Sequence, residues 1–289
     1  MKLMVRDTPR FLVFDLMRII AIVLVVIAHI AQVLRIPILD GFYGIQHFYF
    51  VSPGGFGVTL FLIISGAVLR LNRAHAGEFR EFIAKRLLRI YPIYWLTNAL
   101  ILMAFAFNSH LPNLGIRDLL LSIAGMYAFV GEWGGPINDN YWFIGLIVFL
   151  YLLFPFVCNQ IHRNGWKALF VLLAISVLSR WHLGQIEGDT RMIDWFPLCR
   201  IFEFGLGVFV IEKGFYLKIL NTSKVIIILS NLSYYIFLIH NPLLYIIKTN
   251  LLIYSVSIIC ISYVLYAFDD IIIQTGLRRI SEKFKIAKN

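Results

Sequence analysis

Apolar stretches of helical length, separated by short polar segments, run along almost the whole chain. A transmembrane helix needs about 20 consecutive, predominantly apolar residues. The stretches that approach this length are 11–34, 55–71, 88–107, 117–131, 141–158, 166–184, 196–212, 225–247 and 250–273. This pattern predicts an all-α fold, a polytopic bundle of transmembrane helices.

The charges between the apolar stretches predict how the helices are oriented. Lys and Arg accumulate at the N-terminus, between residues 70 and 89 and in the C-terminal tail, whereas residues 131–140 contain acidic residues and no Lys or Arg. Because cytoplasmic loops carry the excess of Lys and Arg, we expect both termini to be cytoplasmic. Eight crossings fit these charges if 117–131 re-enters or lies at the outer interface. A full crossing there would require ten, so the expected number is about 8–10 spans.

Composition agrees with a membrane protein and narrows its partners. Charged residues make up 15% of the chain, against about a quarter in soluble domains. The net charge of +10 lies in loops and termini, so we interpret it as positive-inside charge and expect no nucleic-acid partner. Cys158, Cys199 and Cys260 are far apart and form no C-x-x-C motif, which gives no sign of a disulfide framework or zinc site. Residues 1–289 are expected to form a single integral-membrane domain.

Two ionisable residues in the first apolar stretch are the strongest functional candidates. Arg18 and His29 are 11 residues apart, so on a helix they share one face at an axial separation of about 16 Å. Asp15 lies one turn before Arg18 and is its expected partner. Ionisable residues inside a membrane are expensive, which favours a functional role. The alternatives are an Arg18 that extends toward the cytoplasm beside Asp15 and a His29 that is simply hydrogen-bonded in the bundle.

Four further arginines occupy positions where an anion would dock on the cytoplasmic side. Arg70 and Arg73 are three residues apart, hence on adjacent helical turns, where both can bind phosphate oxygens. Arg86 and Arg89 precede an aromatic-rich span and are candidates for the opposite wall of the same site. The alternative for all four is ordinary positive-inside charge.

The remaining candidates lie toward the outer side. Tyr141 and Trp142 begin a span that enters from outside, where they form either an aromatic belt or a wall for an external ligand. His240 lies late in an outward span, at a depth similar to that of the first-span histidine. Glu203 is a carboxylate in apolar surroundings, with Arg200 as its expected partner.

In their order along the chain, these segments resemble the membrane acyltransferase family 3, whose members transfer acyl groups from acyl-CoA to hydroxyls of sugars and lipids. "FDLMRIIAIVLVVIAH" is similar to the family's first span with its Arg-x10-His pattern, and "FGVTLFLIISGAVL" to its second span. Arg70-x-x-Arg73 resembles its cytoplasmic Arg-x-x-Arg motif. "KRLLRIYPIYW" and "SYYIFLIHNP" resemble its third-span motif and its Ser-Tyr-x-x-Tyr-x-x-His-x-Pro segment. Ile147 stands where many members have Glu, which resembles a shorter Trp-Phe subtype without an extracellular domain.

The resemblance implies an O-acyltransferase of the cytoplasmic membrane. It would transfer an acyl group, expected to be acetyl, from acyl-CoA to a hydroxyl of a cell-surface sugar, polysaccharide or glycolipid. His29 is the expected general base, since neutral imidazole deprotonates hydroxyls near neutral pH. Arg18 would contact the CoA arm or a diphosphate, and His240 would orient the acceptor or act as a second base. The CoA phosphates would dock on Arg70, Arg73, Arg86 and Arg89. The expected substrate contacts are Tyr141, Trp142, Asp15 and Glu203.

Two other function classes remain open. A transporter or flippase for a glycolipid or polysaccharide would also need interior Arg and His residues, and would move its substrate without CoA turnover. An intramembrane metalloenzyme would have to use His29, His47 and His240, although no H-E-x-x-H motif supports it and no metal is expected. The oligomeric state is not predicted.

Overall fold

The computed structural model describes residues 10–34, 52–72, 79–107, 112–130, 135–185, 192–216, 218–220, 223–247 and 250–276. Within these ranges the chain is mainly helical, with one isolated antiparallel bridge between Phe11 and Leu220. The α-helices that we number are α1 (Leu12–Leu34), α2 (Pro53–Leu71), α3 (Phe79–Phe107), α4 (Ile116–Ala124), α5 (Trp142–Asn164), α6 (Trp166–Gly184), α7 (Ile201–Glu212), α8 (Lys224–Ile246) and α9 (Leu251–Phe268). A single helical turn, Met192–Trp195, precedes α7, and α9 continues as a π-helix over Asp269–Gln274. The predicted all-α fold is confirmed.

Seven helices of the described residues are long and apolar enough to cross a membrane, namely α1, α2, α3, α5, α6, α8 and α9. Their outward surfaces carry large apolar side chains: on α6, Phe170 is 67% exposed and Trp181 65%. Soluble monomers rarely expose contiguous apolar patches of this kind. The chain is therefore a multi-pass membrane protein.

The predicted segment 117–131 does not form a crossing helix. It contains the nine-residue α4, which ends at Gly125 in the left-handed conformation, with φ of 68°. Nine residues of α-helix measure about 14 Å, which is half the thickness of the hydrocarbon core. Ile116 and Leu120 point away from the protein. The structure thus agrees with the expectation that this segment does not cross.

The segment predicted as a span at 196–212 is built from two pieces. A 3₁₀ turn at Pro197–Arg200 leads into the 12-residue α7. Together they cover about 26 Å, close to the ~30 Å of the hydrocarbon core. Because α7 packs against α2, α5 and α6, the break in the helix is surrounded by protein, where irregular backbone is tolerated. These pieces have the length for the eighth expected crossing.

Small residues allow α2 and α7 to approach each other closely in the middle of the bundle. A Cβ added to Gly66 of α2 would overlap the carbonyl oxygen of Phe204, and one added to Gly207 of α7 would overlap the carbonyl oxygen of Ile63. The backbones meet here without side chains between them, the arrangement that small residues provide in membrane bundles. This contact fixes α7 against α2.

Contacts between α1 and α8 define two ends of the bundle. Asp15 meets Ser230 near the start of both helices, and His29 meets His240 near their far ends, so the two helices run parallel. We call the end that contains Asp15 the arginine end and the end that contains His240 the histidine end. The side of the membrane that each end faces remains the sequence-based prediction.

Candidate active site

The two predicted histidines face each other at the histidine end. The ring centroids of His29 and His240 are 5.1 Å apart, and the ring planes are inclined by 54°. His240 is completely buried, whereas His29 is partly exposed. The histidines are 211 positions apart in sequence, and the parallel packing of α1 and α8 brings them together.

Both ring nitrogens of His240 have hydrogen-bonding partners. Nδ1 lies 3.1 Å and 2.9 Å from the carbonyl oxygens of Ile236 and Phe237, and Nε2 lies 3.2 Å from the side-chain nitrogen of Asn140. Sequence analysis missed Asn140, which contacts His240 across 100 residues of chain. The available signal was the pair Asn138 and Asn140 directly before the Tyr-Trp-Phe segment.

Phe237 lies beside His240, and further aromatic side chains lie at the same end of the bundle. The ring of Phe237 lies 6.0 Å from that of His240 and 5.1 Å from that of Phe143. Trp142 stacks on Trp195 with centroids 5.2 Å apart and planes inclined by 9°. Tyr141 lies 4.7 Å from the ring of Tyr94. Tyr141 and Trp142 are both buried, so the alternative of a lipid-facing aromatic belt does not apply to them.

A carboxylate organises the arginine end. Asp15 is 1% exposed and accepts hydrogen bonds from Arg10 at 2.5 Å and from the hydroxyl of Ser230 at 2.6 Å. The expected pair of Asp15 with Arg18 is present at 3.5 Å. Arg10 is thus the closer partner of Asp15. Sequence analysis missed this contact because Arg10 lies before the start of the helix. With Asp15 held by Arg10, Arg18 keeps donors that an anion can use.

Two arginines of α3 add positive charge beside Arg18. Arg18 and Arg89 interact electrostatically, as do Arg89 and Arg86, and Tyr151 interacts with both Arg18 and Arg86. Arg86 also lies over the ring of Phe82 at 5.5 Å. The structure therefore places Arg86 and Arg89, which sequence analysis had grouped with Arg70 and Arg73, beside Arg18 of the first span.

Arg70 belongs to a different cluster at the same end of the bundle. It donates to Glu212 at 2.5 Å, and the other oxygen of Glu212 lies 2.7 Å from Nδ1 of His162. This three-residue contact joins the ends of α2, α5 and α7. Arg73, its predicted companion in phosphate binding, lies outside the described residues, as does His47.

Glu203 lies in an ionic network at the histidine end. It accepts from Arg200 at 2.9 Å, which confirms the expected pairing, and from Arg180 at 3.4 Å. Arg180 also contacts Asp194 at 3.3 Å, and Arg200, which has no exposed surface, donates to the hydroxyl of Thr59 at 3.2 Å. Two cations and two carboxylates thus balance each other here.

The described residues contain no group of three His, Cys, Asp or Glu side chains that is close enough to hold a metal ion. The chemistry that the site offers is that of imidazole, amide and guanidinium groups. A helical membrane bundle with facing imidazoles at one end and clustered guanidinium groups at the other defines a class of integral-membrane protein that can combine proton transfer with anion binding.

Comparison with known proteins identifies the family. The acyltransferase-domain family (acyltransferase 3) matches residues 11–229, and the chain belongs to this family. A protein of Acidianus two-tailed virus named "Putative acetyltransferase ORF330" is 24% identical over 223 residues, which cover 72% of this chain and 63% of the viral protein. The "Regulator of hypoxia-inducible factor 1" of Caenorhabditis elegans is 27% identical over 203 residues, which cover 62% of this chain and 40% of that protein. The match thus spans less than two thirds of either relative, and no solved structure matches the chain.

Proposed function

We propose that this protein is an O-acyltransferase that transfers an acyl group from acyl-CoA to a hydroxyl group. Membership of the acyltransferase family supports acyl transfer. The name of the viral relative favours acetyl as the acyl group. The acceptor that we propose is a sugar, polysaccharide or glycolipid of the cell surface, and the membrane is the cytoplasmic membrane.

The contact between His29 and His240 is the observation that carries this proposal. A hydroxyl group is a weak nucleophile until a base removes its proton, and an imidazole is the usual base at neutral pH. His29 accepts the proton of the acceptor hydroxyl while the hydroxyl oxygen attacks the thioester carbonyl carbon. The carbon–sulfur bond then breaks, and the protonated His29 returns the proton to the CoA thiolate. The products are an O-acyl ester and free CoA.

The arginine end is the proposed docking site for the phosphates of acyl-CoA. Arg89 acts on both Arg18 and Arg86, and the three form a positive cluster that a phosphate group would neutralise. Arg18 and His29 share one face of α1 at about 16 Å along the axis, a distance that the thin pantetheine arm has to bridge. Acyl-CoA is made in the cytoplasm, so the arginine end would face it, in agreement with the loop charges.

The remaining residues predicted from sequence also have proposed roles at the two ends of the bundle. Tyr141, Trp142 and Glu203 all lie at the histidine end, where the acceptor would bind. Asp15, assigned to substrate contact from sequence, binds Arg10 and Ser230, and we propose that it orients the arginines. Arg70 and Arg73 remain predicted phosphate contacts, although Arg70 is held by Glu212 in this structure.

Transfer of radiolabelled acetyl from acetyl-CoA in membranes tests the function. We expect His29→Ala to lose at least about 100-fold in kcat, the usual contribution of a general base, and to retain acetyl-CoA binding. His182→Ala is the matched control, because His182 is an exposed histidine in the last turn of α6, also at the histidine end. Full transferase activity in His29→Ala would contradict the base assignment. Movement of a glycolipid without turnover of acetyl-CoA would instead favour the transporter.

A further inference from the structure

The hydrogen bonds of His240 determine which of its ring nitrogens carries the proton. Its Nδ1 approaches two backbone carbonyl oxygens, those of Ile236 and Phe237. Carbonyl oxygens only accept hydrogen bonds, so the proton of the neutral ring must be on Nδ1. Nε2 then carries a lone pair and needs a donor, which the side-chain NH₂ of Asn140 supplies at 3.2 Å. The three contacts are mutually consistent only for the Nδ1–H form of His240.

Asn140 is held in this position by a second asparagine and, through it, by a proline. Pro242 has no N–H, so the carbonyl oxygen of Leu238, four residues earlier in α8, loses its usual helical partner. The side chain of Asn138 donates to that oxygen at 2.7 Å. Its own side-chain oxygen accepts from the backbone N–H of Asn140 at 3.1 Å. Asn138 therefore binds where α8 lacks a helical hydrogen bond, and this contact holds Asn140 against the imidazole of His240.

This arrangement has a consequence for the histidine pair. Protonation of His240 on Nε2 would place an N–H against the amide N–H of Asn140, which removes the hydrogen bond and leaves two buried donors facing each other. A second positive charge 5.1 Å from His29 would also oppose protonation of His29. A neutral His240 leaves His29 as the member of the pair that takes up a proton.

We propose that Asn140 is a positioning residue for acyl transfer, which keeps His240 neutral, with the proton on Nδ1, and orients its ring beside His29. The catalytic part of this proposal rests on the proposed function of His29. Asn138 and Pro242 act through Asn140, since they place it. The backbone carbonyl of His240 is also fixed, because it accepts from the hydroxyl of Tyr254 at 3.2 Å. In this proposal the Asn-x-Asn segment at 138–140 and the His-Asn-Pro segment at 240–242 act together to position the His240 ring.

Nitrogen NMR of the protein in lipid nanodiscs, labelled with ¹⁵N-histidine, tests the tautomer without any substrate. The chain has seven histidines, and the signal that disappears in His240→Gln identifies His240. At neutral pH we expect a protonated Nδ1 and an unprotonated Nε2. Asn140→Asp replaces the donor by an acceptor, so Nε2 should become protonated. A wild-type signal with the proton on Nε2, or an unchanged Nε2 in Asn140→Asp, would overturn the proposal.

Acetyl-transfer assays on the same variants test the catalytic consequence. Asn140→Asp should lower kcat by at least about tenfold with the KM for acetyl-CoA changed by less than about twofold, since the arginine end is untouched. Asn140→Ala should also lower kcat but leave Nε2 of His240 unprotonated. This variant provides the test of the positioning role if Asn140→Asp does not fold. Normal kcat in a folded Asn140→Ala would overturn the positioning role.

The matched control is Asn250→Asp. Asn250 is the exposed N-cap of α9 at the same end of the bundle, where Asp caps equally well. Its NMR signals and kcat should match those of the wild type. If the wild-type protein shows the expected tautomer but no acetyl transfer, the proposed function fails while the hydrogen-bond assignment stands, so the two failures are distinguishable.

Discussion

Two charged clusters at opposite ends of this bundle differ in how their charges are matched. The balanced cluster consists of Arg180, Asp194, Arg200 and Glu203, with two cations and two carboxylates in contact. The arginine cluster consists of Arg10, Asp15, Arg18, Arg86 and Arg89. Arg10 and Arg18 contact Asp15, and Arg89 adds its charge beside Arg18 and Arg86, so positive charge is in excess within this cluster.

The difference indicates different purposes. Buried charges that are matched by partners inside the protein need no further ligand to neutralise them. Removal of either partner would leave an uncompensated buried charge, so such a pair matters for stability. A cluster with surplus positive charge is incomplete, and an anion with several oxygens completes it. We therefore interpret the ion pairs of the balanced cluster as structural, in addition to the acceptor contact proposed for Glu203, and the arginine cluster as a binding site.

The largest expected effect comes from breaking the balanced cluster. Arg200→Met keeps the length of the side chain but removes the charge that faces Glu203 and Thr59. We expect a loss of about 3–5 kcal/mol in the free energy of unfolding, typical of a buried pair that loses one partner. The change in stability is measured by thermal unfolding in detergent. Unfolding is followed either by intrinsic fluorescence or by the fraction of protein that stays monodisperse after heating.

Arg18→Met provides the comparison for stability. Arg18 keeps 27% of its side chain exposed, and its contact with Asp15 is long, at 3.5 Å. We expect Arg18→Met to lower the free energy of unfolding by less than about 1 kcal/mol, as for partly exposed ion pairs. Equal losses of stability in the two variants would remove the distinction between a structural and a binding cluster.

The next effect concerns the arginine cluster and acyl-CoA. Arg18→Gln combined with Arg89→Gln should raise the KM for acetyl-CoA by about 100-fold or more, since each of the two charge-assisted contacts to phosphate contributes about 1.5–3 kcal/mol. The kcat at saturating acetyl-CoA should change much less, because the histidine pair is intact. Arg163→Gln is the control: Arg163 is exposed at the end of α5, near the same end of the bundle. An unchanged KM in the double variant would exclude this cluster as the donor site.

Sequence alone predicted the helical class and the shared face of Arg18 and His29, because both follow from periodicity within one segment. The pair of Arg200 and Glu203 was predictable for the same reason, since these residues are one helical turn apart. Contacts across the bundle were not. Nothing local indicates that Arg180 and Asp194 would join that pair, or that Arg10 would be a closer partner of Asp15 than Arg18 is.

The crossing formed by residues 196–212 shows the same limit. Its apolar composition predicted a span, but the 3₁₀ turn at Pro197–Arg200 depends on packing against α6 and on the buried guanidinium of Arg200. Asn140 was missed because its role depends on a carbonyl that Pro242 leaves without a helical donor. Each of these features is a tertiary consequence of residues that are unremarkable within their own segments.

The smallest expected effect separates Arg70 from Arg18, although both are arginines at the same end. Glu212 neutralises Arg70 and also contacts His162, so this cluster resembles the balanced cluster more than the arginine cluster. Arg70→Gln should therefore change the KM for acetyl-CoA by no more than about twofold and cost about 1 kcal/mol of stability. Glu212→Gln should cost a similar amount of stability and release Arg70. A rise in KM for Arg70→Gln as large as that for the Arg18 and Arg89 double variant would show that phosphate displaces Glu212, and that the two groups of arginines form one donor site.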